Sequence, residues 1–285
     1  MEDRDRPLPI KLNPQGVVKN FWQGIKSKNA FKNYIFHWPL SHADNIIFVS
    51  KHNLPIAKEI GFEKKVTYLP QMFDDVGWEY NKSGITQEMV KHDQDVLDKM
   101  NKIKNSKYVV FAGQMKLRKG WDVFLKSIPL IDKNILPYFV FVTSSSSSSL
   151  GEYTKMVAEL NIADRVIFLG KVFDRGLLKK VFMGSQAVVV PSRYEGFGLL
   201  TIEAFDLKRP LIAADVIAIN ETVRDGYNGL LFPAEDHQAL ADSIIKLEKD
   251  PSLQAKLIRG GEETLLKFKS QAIKDQWLDY YNKQV

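Results

Sequence analysis

The sequence contains no cysteine and only 5 histidines, and these shortages exclude several kinds of chemistry. Without cysteine there is no disulfide framework, no thiolate metal site and no cysteine nucleophile. His37 and His42 are the only histidines that lie close together in the sequence, and no His-Glu-x-x-His motif occurs. A dedicated metal centre is therefore not expected. We expect a protein that works without a metal or other cofactor.

Long apolar runs and a strong excess of charge are also missing. No stretch of about 18 apolar residues occurs, so a membrane-spanning helix is not expected. The first residues, MEDRDRPLPI, are charged and lack the apolar segment of a secretory signal, which favours a cytoplasmic protein. The formal net charge of +6 suits an anionic ligand, substrate or surface. The charge is too small to indicate nucleic-acid binding by itself, and we do not expect a nucleic acid as partner.

From Tyr108 onward, short β-branched runs alternate with amphipathic segments, and this alternation predicts a doubly wound, Rossmann-like α/β fold with a parallel sheet. The strands are continuous apolar runs, as expected when helices cover both faces of the sheet. We predict strands at YVVFAG, YFVFVT, RVIFLG, AVVVPS, PLIAAD and GLLF. Predicted helices lie between them, at Gly120–Ile131, Leu150–Leu160, Arg175–Met183, Gly198–Leu207 and Ile219–Arg224.

The two ends of the chain follow other patterns. The last 50 or so residues are helical in character, with Pro251 at a predicted helix start and Gly260–Gly261 as a predicted break. Near the N-terminus, DNIIFVS and KKVTYLPQ predict two strands around a short helix. A polar connector with one solvated helix, Thr86–Lys102, follows. We therefore divide the chain into a short, incomplete α/β portion (1–76), a connector (77–106) and the main domain (107–285), because a second full domain of this kind needs about 100 residues.

The segment AGQMKLRKGWD forms the first strand-to-helix junction of interest. Gly113 ends a predicted strand, and Arg118 and Lys119 come directly before a predicted helix. In open parallel sheets, ligands bind at the carboxyl ends of the strands. Two cations beside the positive end of a helix are unfavourable unless an anion such as a diphosphate lies between them. The alternative is a solvated basic turn; a Walker loop is excluded because glycine follows the lysine.

The segment PSRYEGFGLLTIEA, residues 191–204, forms a second junction with a glutamate on each side of a Gly-Phe-Gly turn. Glu203 lies almost two turns inside the predicted helix, which places it about 10 Å from Glu195. A carboxylate that accepts two hydroxyls can hold a cis-diol. The alternative, a capping charge plus a surface charge, fits Glu195 but not Glu203, whose neighbours are apolar.

The glycines of this turn support a ligand site. Gly196 and Gly198 permit close approach of a ligand to the backbone. At the predicted helix start, three amide groups lack partners within the helix, and they are those of Phe197, Gly198 and Leu199. Backbone donors and carboxylates would then meet at one crevice.

Together these motifs resemble the E-x7-E signature of the retaining "group 1" glycosyltransferases, which have the GT-B fold. GQMKLRKGWDVFLKSI resembles the segment of this family that holds the donor diphosphate. RVIFLGKV, LLKKVFMGSQAVVVPS and DVIAINETVRDGYNGLLF occur in the family's order and spacing. The resemblance covers about Ser41 to Tyr281. It implies that the main domain is the C-terminal, donor-binding domain of a GT-B enzyme and that residues 1–76 are a truncated N-terminal, acceptor-side domain.

The resemblance also implies roles for single residues. Glu203 would hold the ribose of a nucleotide-diphosphate sugar, Glu195 the transferred sugar, and Lys119 with Arg118 the leaving diphosphate. The remaining donor-binding positions would be Gly113, Gln114, Val172, Gly196, Phe197, Gly198 and Leu199. The family implies transfer to a glycan or lipid-linked acceptor with retention of configuration, in polysaccharide biosynthesis, without a metal.

Several positions depart from the family's pattern. Gln114 stands where the family has arginine, Lys208 where it commonly has glycine, and the segment 217–221 (IAINE) replaces the usual Gly-Gly-x-Pro-Glu. Most of the acceptor-side domain is absent as well. An alternative is therefore a non-catalytic subunit that binds nucleotide sugars, or one half of a split transferase.

Two further segments leave alternatives open. The run Ser144–Ser149 could contact the ligand or be a low-complexity loop. Residues 17–38 have apolar and lysine residues at helical spacing. This basic amphipathic segment could lie on the inner face of a membrane where lipid-linked acceptors reside, or could pack on the protein or on a partner chain.

Overall fold

A computed structural model describes residues 42–59, 61–73, 86–143, 147–269 and 271–283 of the chain. The expectations for residues 17–38, and for the side chains of the serine run, lie outside the described residues. Among the helices that the structure describes, none is long and apolar enough to cross a membrane.

The N-terminal portion contains two short parallel strands, β1 (Ile46–Phe48) and β2 (Val66–Tyr68), around the helix α1 (Leu54–Glu59). Every residue of both strands is half-buried. Hydrogen bonds to Glu221 connect this portion to the main domain. The Glu221 carboxylate accepts from Ser50 Oγ at 2.5 Å and from the His52 amide at 2.8 Å. The carboxylate thereby satisfies donors at the start of a short 3-10 turn.

The predicted connector helix is present as α2 (Gln87–Lys102), and Thr86 caps it by accepting from the Met89 amide at 3.2 Å. Only one face of α2 is solvated. Val96 on the other face is fully buried in the core of the main domain. The connector helix is therefore an integral part of the packed body.

The main domain is a six-stranded parallel sheet with strands in the order β5-β4-β3-β6-β7-β8, and it confirms the predicted fold class. The chain order reverses between β3 and β6. The elements, in chain order, are β3 (Tyr108–Ala112), α3 (Trp121–Ser127), β4 (Tyr138–Val142), α4 (Ser147–Glu159), β5 (Val166–Gly170), α5 (Arg175–Met183), β6 (Val188–Val190), α6 (Leu199–Asp206), β7 (Leu211–Asp215), α7 (Ile217–Asn220) and β8 (Leu230–Pro233).

The helix predicted at Ile219–Arg224 is wrong in position, because α7 begins earlier and ends at Asn220. Asn228 explains the ending. Its side chain accepts from the Arg224 amide at 2.7 Å and donates to the Thr222 carbonyl at 2.9 Å, which holds the chain in a turn. An asparagine that pairs with backbone groups in this way competes with helix continuation.

Three helices complete the chain: α8 (His237–Lys249), α9 (Pro251–Phe268) and α10 (Gln271–Asn282). Pro251 stands at the start of α9, as predicted, but the predicted break at Gly260–Gly261 is wrong. A Cβ at Gly260 would lie 2.2 Å from the Tyr227 carbonyl oxygen, and one at Gly261 would lie 2.7 Å from the Phe205 ring. The glycine pair permits close packing of a continuous helix.

The last two helices contact the segment that follows β2. Trp277 Nε1 of α10 donates to the Pro70 carbonyl at 2.9 Å. The Phe73 amide donates to the carbonyl of Phe268, at the end of α9, at 3.2 Å. These bonds bring Phe73, a residue outside the main sheet, to the carboxyl edge of that sheet, where it lines the cleft described below.

Candidate functional site

The two junction motifs lie side by side, where the strand order of the sheet reverses. Gly120, at the start of α3, has a φ of +70°, and a Cβ there would lie only 1.8 Å from the Pro191 carbonyl oxygen. Only glycine therefore allows the LRKG turn to lie against the loop after β6. The Arg193 amide adds a hydrogen bond to the Arg118 carbonyl at 2.8 Å. In doubly wound sheets this position is the usual place for a ligand.

A buried ion pair that the sequence analysis missed fixes the two junctions. Arg193 donates from both Nη atoms to the two carboxylate oxygens of Asp122, each at 2.7 Å, and from Nε to Glu235 at 2.9 Å. Arg193 and Asp122 are only 7% and 6% exposed. The available signal was an arginine directly after an apolar strand, because burial of such a charge requires a partner.

Lys119 and Glu195 form an ion pair across the two junctions, with 2.6 Å between Nζ and Oε1. Ser192 Oγ donates to the same oxygen at 2.7 Å. Arg118 is exposed, and its side chain forms no ion pair within the part of the chain that the structure describes. The structure thus brings Lys119 and Glu195 together. The two neighbouring cations differ, because Lys119 is paired with a carboxylate and Arg118 is exposed.

A cleft of about 610 Å³ lies at the carboxyl ends of β3, β4 and β5. This volume is normal for a small-molecule site. Four of the predicted donor-binding residues line the cleft: Gly113, Gln114, Val172 and Glu203. Sequence reasoning missed other lining residues, which come from several elements and include Phe73, Thr143, Lys171, Phe173, Arg175 and Leu200.

Glu203 is the fifth residue of α6, so it lies about one turn inside the helix and not almost two. Its side chain is half-buried, and its carboxylate forms no hydrogen bond with another described residue. Burial raises the pKa of this carboxyl group, the positive charge of Arg175 opposes that rise, and the negative charge of Asp206 adds to it. Glu203 therefore presents unused acceptors to the cleft, as a ligand with hydroxyl groups requires.

The Gly-Phe-Gly turn and the Lys119–Glu195 pair are not among the residues that line the cleft. Gly198 has a left-handed φ of 81°, and the Phe197 ring packs edge-on against Phe268 with 5.7 Å between ring centroids. The pair nevertheless borders the cleft, because a Cβ at Gly113 would lie 3.7 Å from Lys119 Cγ.

The Gly-Phe-Gly turn also supplies backbone donors. Between described residues, no hydrogen bond uses the amide of Phe197, Gly198 or Leu199, in agreement with the expected helix start. The described residues contain no group of three or more His, Asp or Glu side chains that could hold a metal ion.

The reversed strand order, the cleft and the two junctions define a doubly wound α/β protein with a candidate ligand site at its switch point. A sequence model of the family described as "Glycosyl transferases group 1" matches residues 93–264, and the chain belongs to this family. One curated relative is the D-inositol 3-phosphate glycosyltransferase of Acidothermus cellulolyticus. It is 32% identical over 168 residues, which are 56% of this chain and 37% of that protein. The chain spans less than two thirds of the length of the first curated relatives it matches.

Solved structures of glycosyltransferases share the fold. Anabaena HepE, whose structure is in complex with UDP and glucose, has a TM-score of 0.73 at 17% identity; the match covers 90% of this chain and 68% of that one. A glycosyltransferase from Rickettsia africae has a TM-score of 0.70 at 15% identity, with 99% of this chain and 83% of that one covered. At these identities the likeness establishes the GT-B fold alone.

Proposed function

We propose that the chain transfers a sugar from a nucleotide-diphosphate sugar to a glycan or lipid-linked acceptor, with retention of configuration, in polysaccharide biosynthesis. The observation that carries the proposal is the half-buried Glu203 carboxylate, which presents unused acceptors to a cleft that the Lys119–Glu195 pair borders at Gly113. Family membership and the UDP and glucose complex of Anabaena HepE support a nucleotide sugar as donor.

The donor would extend from the cleft to the paired charges. Glu203 accepts the two ribose hydroxyls, the backbone at Val172 contacts the base, and Gly113 with Gln114 lies along the diphosphate. The exposed Arg118 adds positive charge near the phosphates. Anionic phosphate oxygens form strong hydrogen bonds with such cations.

Lys119 would change partners when the donor binds. In the structure its ammonium group is held by Glu195 at 2.6 Å. A diphosphate carries more negative charge than one carboxylate, so it can take over Lys119 and release Glu195 to accept hydroxyls of the transferred sugar. Lys119 then neutralises the charge that builds on the leaving diphosphate as the C–O bond breaks.

The Gly-Phe-Gly turn would complete the site. The amides of Phe197, Gly198 and Leu199 donate to the sugar and the phosphates, at the start of α6, where the helix end favours negative charge. The acceptor hydroxyl attacks the face from which the diphosphate leaves, which retains the configuration. Its proton passes to the departing phosphate oxygen as the C–O bond to the diphosphate breaks, and no metal takes part. We place the protein in the cytoplasm or at the inner face of the membrane.

A second candidate is a subunit that binds nucleotide sugars without transferring them, or one half of a split transferase. The observations that favour it are the departures from the family's pattern, with Gln114 in place of arginine and IAINE at residues 217–221 in place of Gly-Gly-x-Pro-Glu. In this case the cleft binds the donor, and the acceptor site lies in another chain.

A donor screen separates the two candidates. Nucleotide release from UDP-, GDP- and ADP-sugars is measured with and without glycan and lipid-linked acceptors, for wild type, Glu203→Ala and the control Glu159→Ala. Glu159 is exposed on α4 and does not line the cleft.

We expect nucleotide release from one of the donors, and we expect this release to require an acceptor. Glu203→Ala should lose it, whereas Glu159→Ala should keep it. NMR of the product should show that the anomeric configuration is retained. Binding that depends on Glu203 without any turnover would establish the subunit instead. A wild type that binds no nucleotide sugar would overturn both candidates.

A further inference from the structure

The segment between β5 and α5 forms one wall of the cleft. Lys171, Val172 and Phe173 are consecutive lining residues, and Arg175 follows them at the start of α5. The Lys171 ammonium group lies over the Phe173 ring, 4.6 Å from its centroid. Under the proposed function this wall meets the nucleoside, so its exact position decides how a base is contacted.

The connector helix α2 forms hydrogen bonds with the backbone of this wall through Asp93. The two carboxylate oxygens of Asp93 accept separate hydrogen bonds from consecutive amides, that of Phe173 at 2.9 Å and that of Asp174 at 2.8 Å. Hydrogen bonds to a charged acceptor are the stronger kind. Two such bonds to adjacent peptide groups fix the orientation of the backbone where it leaves the cleft.

His92 contacts both ends of the same segment. Its ring meets the Phe173 ring edge-on, with centroids 5.7 Å apart. It also packs on Gly170, where φ is +74° and a Cβ would lie 3.2 Å from two ring atoms of His92. Its Nε2 atom is buried and forms no hydrogen bond with any described residue, so packing rather than polar bonding places this ring.

These contacts link residues that are about 80 positions apart in the chain. No residue of α2 lines the cleft, although the structure describes the whole helix. His92 and Asp93 therefore reach the ligand site only through the segment 170–174. Asp95 and Asp98 on the same helix are exposed, and their side chains bond to Lys99 and Gln94 within the helix.

We propose that α2 sets the base preference of the cleft, with Asp93 as the positioning residue that holds the backbone of residues 171–174 against the nucleoside and His92 as its packing support. This inference rests on the proposed function, since it assigns the wall to the base of a nucleotide donor. It makes the connector helix, which lies outside the cleft, a determinant of donor choice.

The test compares Asp93→Asn with the control Asp98→Asn on the same helix. Asparagine keeps the size of the side chain, but its NH₂ group opposes one of the two amide donors. Calorimetry gives the affinities of UDP, GDP, ADP and inorganic pyrophosphate, and hydrogen exchange follows the Phe173 and Asp174 amides. Thermal melting checks the fold, and His92→Ala gives the same readouts if Asp93→Asn does not fold.

We expect Asp93→Asn to weaken the preferred nucleoside diphosphate by about tenfold, the equivalent of one hydrogen bond. The preference among the three bases should shrink, exchange of the two amides should accelerate, and pyrophosphate binding and Asp98→Asn should match wild type. An unchanged base preference, or an equal loss for pyrophosphate, would overturn the inference and leave the proposed function intact. A wild type that binds none of the three nucleotides would instead overturn the proposed function and the inference with it.

Discussion

The two ends of the candidate ligand site differ in how the protein itself satisfies their charges. At the junction of the two motifs, Lys119 is paired with Glu195, and the buried Arg193 is paired with Asp122. In the cleft, the Glu203 carboxylate is half-buried and makes no hydrogen bond with the described residues around it. We call the end with the Lys119–Glu195 pair the closed end, because its charges are paired within the protein. We call the end with Glu203 the open end, because its carboxylate is available to a ligand.

This difference indicates how a donor would use its binding energy. A diol that reaches Glu203 gains hydrogen bonds without breaking any within the protein, so this end supplies affinity. A diphosphate that reaches Lys119 must first displace Glu195, so part of the energy gained there is used in the exchange. We therefore expect substitutions at the two ends to have effects of different size and, in one case, of opposite sign.

The largest effect should come from breaking the buried ion pair between Arg193 and Asp122, which supports the closed end. Arg193→Met leaves Asp122 as an unpaired buried charge, and we expect the free energy of unfolding to fall by about 3–5 kcal/mol. Urea denaturation measures this change. The control Lys133→Met breaks the exposed pair with Asp164 and should cost less than about 1 kcal/mol. Similar losses for both variants would show that the buried pair does not organise the junction.

The open end gives the next effect. Glu203→Gln keeps the shape of the side chain but removes the charge, and we expect nucleoside and nucleoside diphosphate to bind about 10- to 100-fold more weakly. Calorimetry measures both affinities, and Glu159→Gln is the control. A loss confined to the diphosphate form would show that Glu203 does not hold the ribose.

At the closed end, Glu195→Gln should act in the opposite direction. Without its carboxylate partner, Lys119 is available to phosphate, so the nucleoside diphosphate should bind as well as or up to about tenfold better than to wild type. The nucleotide sugar should lose this advantage because a hydroxyl acceptor is missing. A marked loss of nucleoside diphosphate affinity would contradict the exchange of partners at Lys119.

The change of ligand affinity with pH should be smaller than the effects of these substitutions, and Glu203 at the open end should account for it. The pKa of Glu203 is raised above its ordinary 4.5 by burial, so protonation, which removes one acceptor, begins at a higher pH than for an exposed glutamate. Affinity should fall on acidification by at most about tenfold per pH unit, and Glu203→Gln should abolish this fall. The sign for stability is opposite, because a carboxyl group with a raised pKa stabilises the fold at low pH and loses that contribution as pH rises through the pKa. A pH profile unchanged by the substitution would assign the titration to another group.

Much of the fold could be predicted because local patterns determine it. The strands of the main sheet are continuous apolar runs, and the structure contains a strand at each of the six predicted places. The two errors had different causes. A distant partner decides the outcome at Gly260–Gly261, because nothing local reveals that α9 packs on Tyr227 and Phe205. At Arg224 the cause is local, since Asn228, four residues further on, accepts from its amide and competes with the helix.

The position of the candidate site could be predicted from the sequence, but the bonds between its residues could not. Residues at strand-to-helix junctions of a parallel sheet converge at one edge, so Gly113, Glu195 and Glu203 could be assigned to one region from sequence. The ion pair between Lys119 and Glu195 joins residues 76 positions apart, and the spacing of charges cannot predict such a bond. The α2 contacts to the cleft wall were missed for the same reason.

The most direct test of the two-ended site is a comparison of one nucleoside diphosphate with its nucleoside, in wild type, Lys119→Ala and the control Lys116→Ala. Lys116 is exposed on the same loop. Calorimetry should show that Lys119→Ala weakens the diphosphate by about 10- to 100-fold while the nucleoside binds as to wild type, and that Lys116→Ala changes neither. Equal losses for the two ligands in Lys119→Ala would contradict the account, because the lysine would then not belong to the diphosphate end.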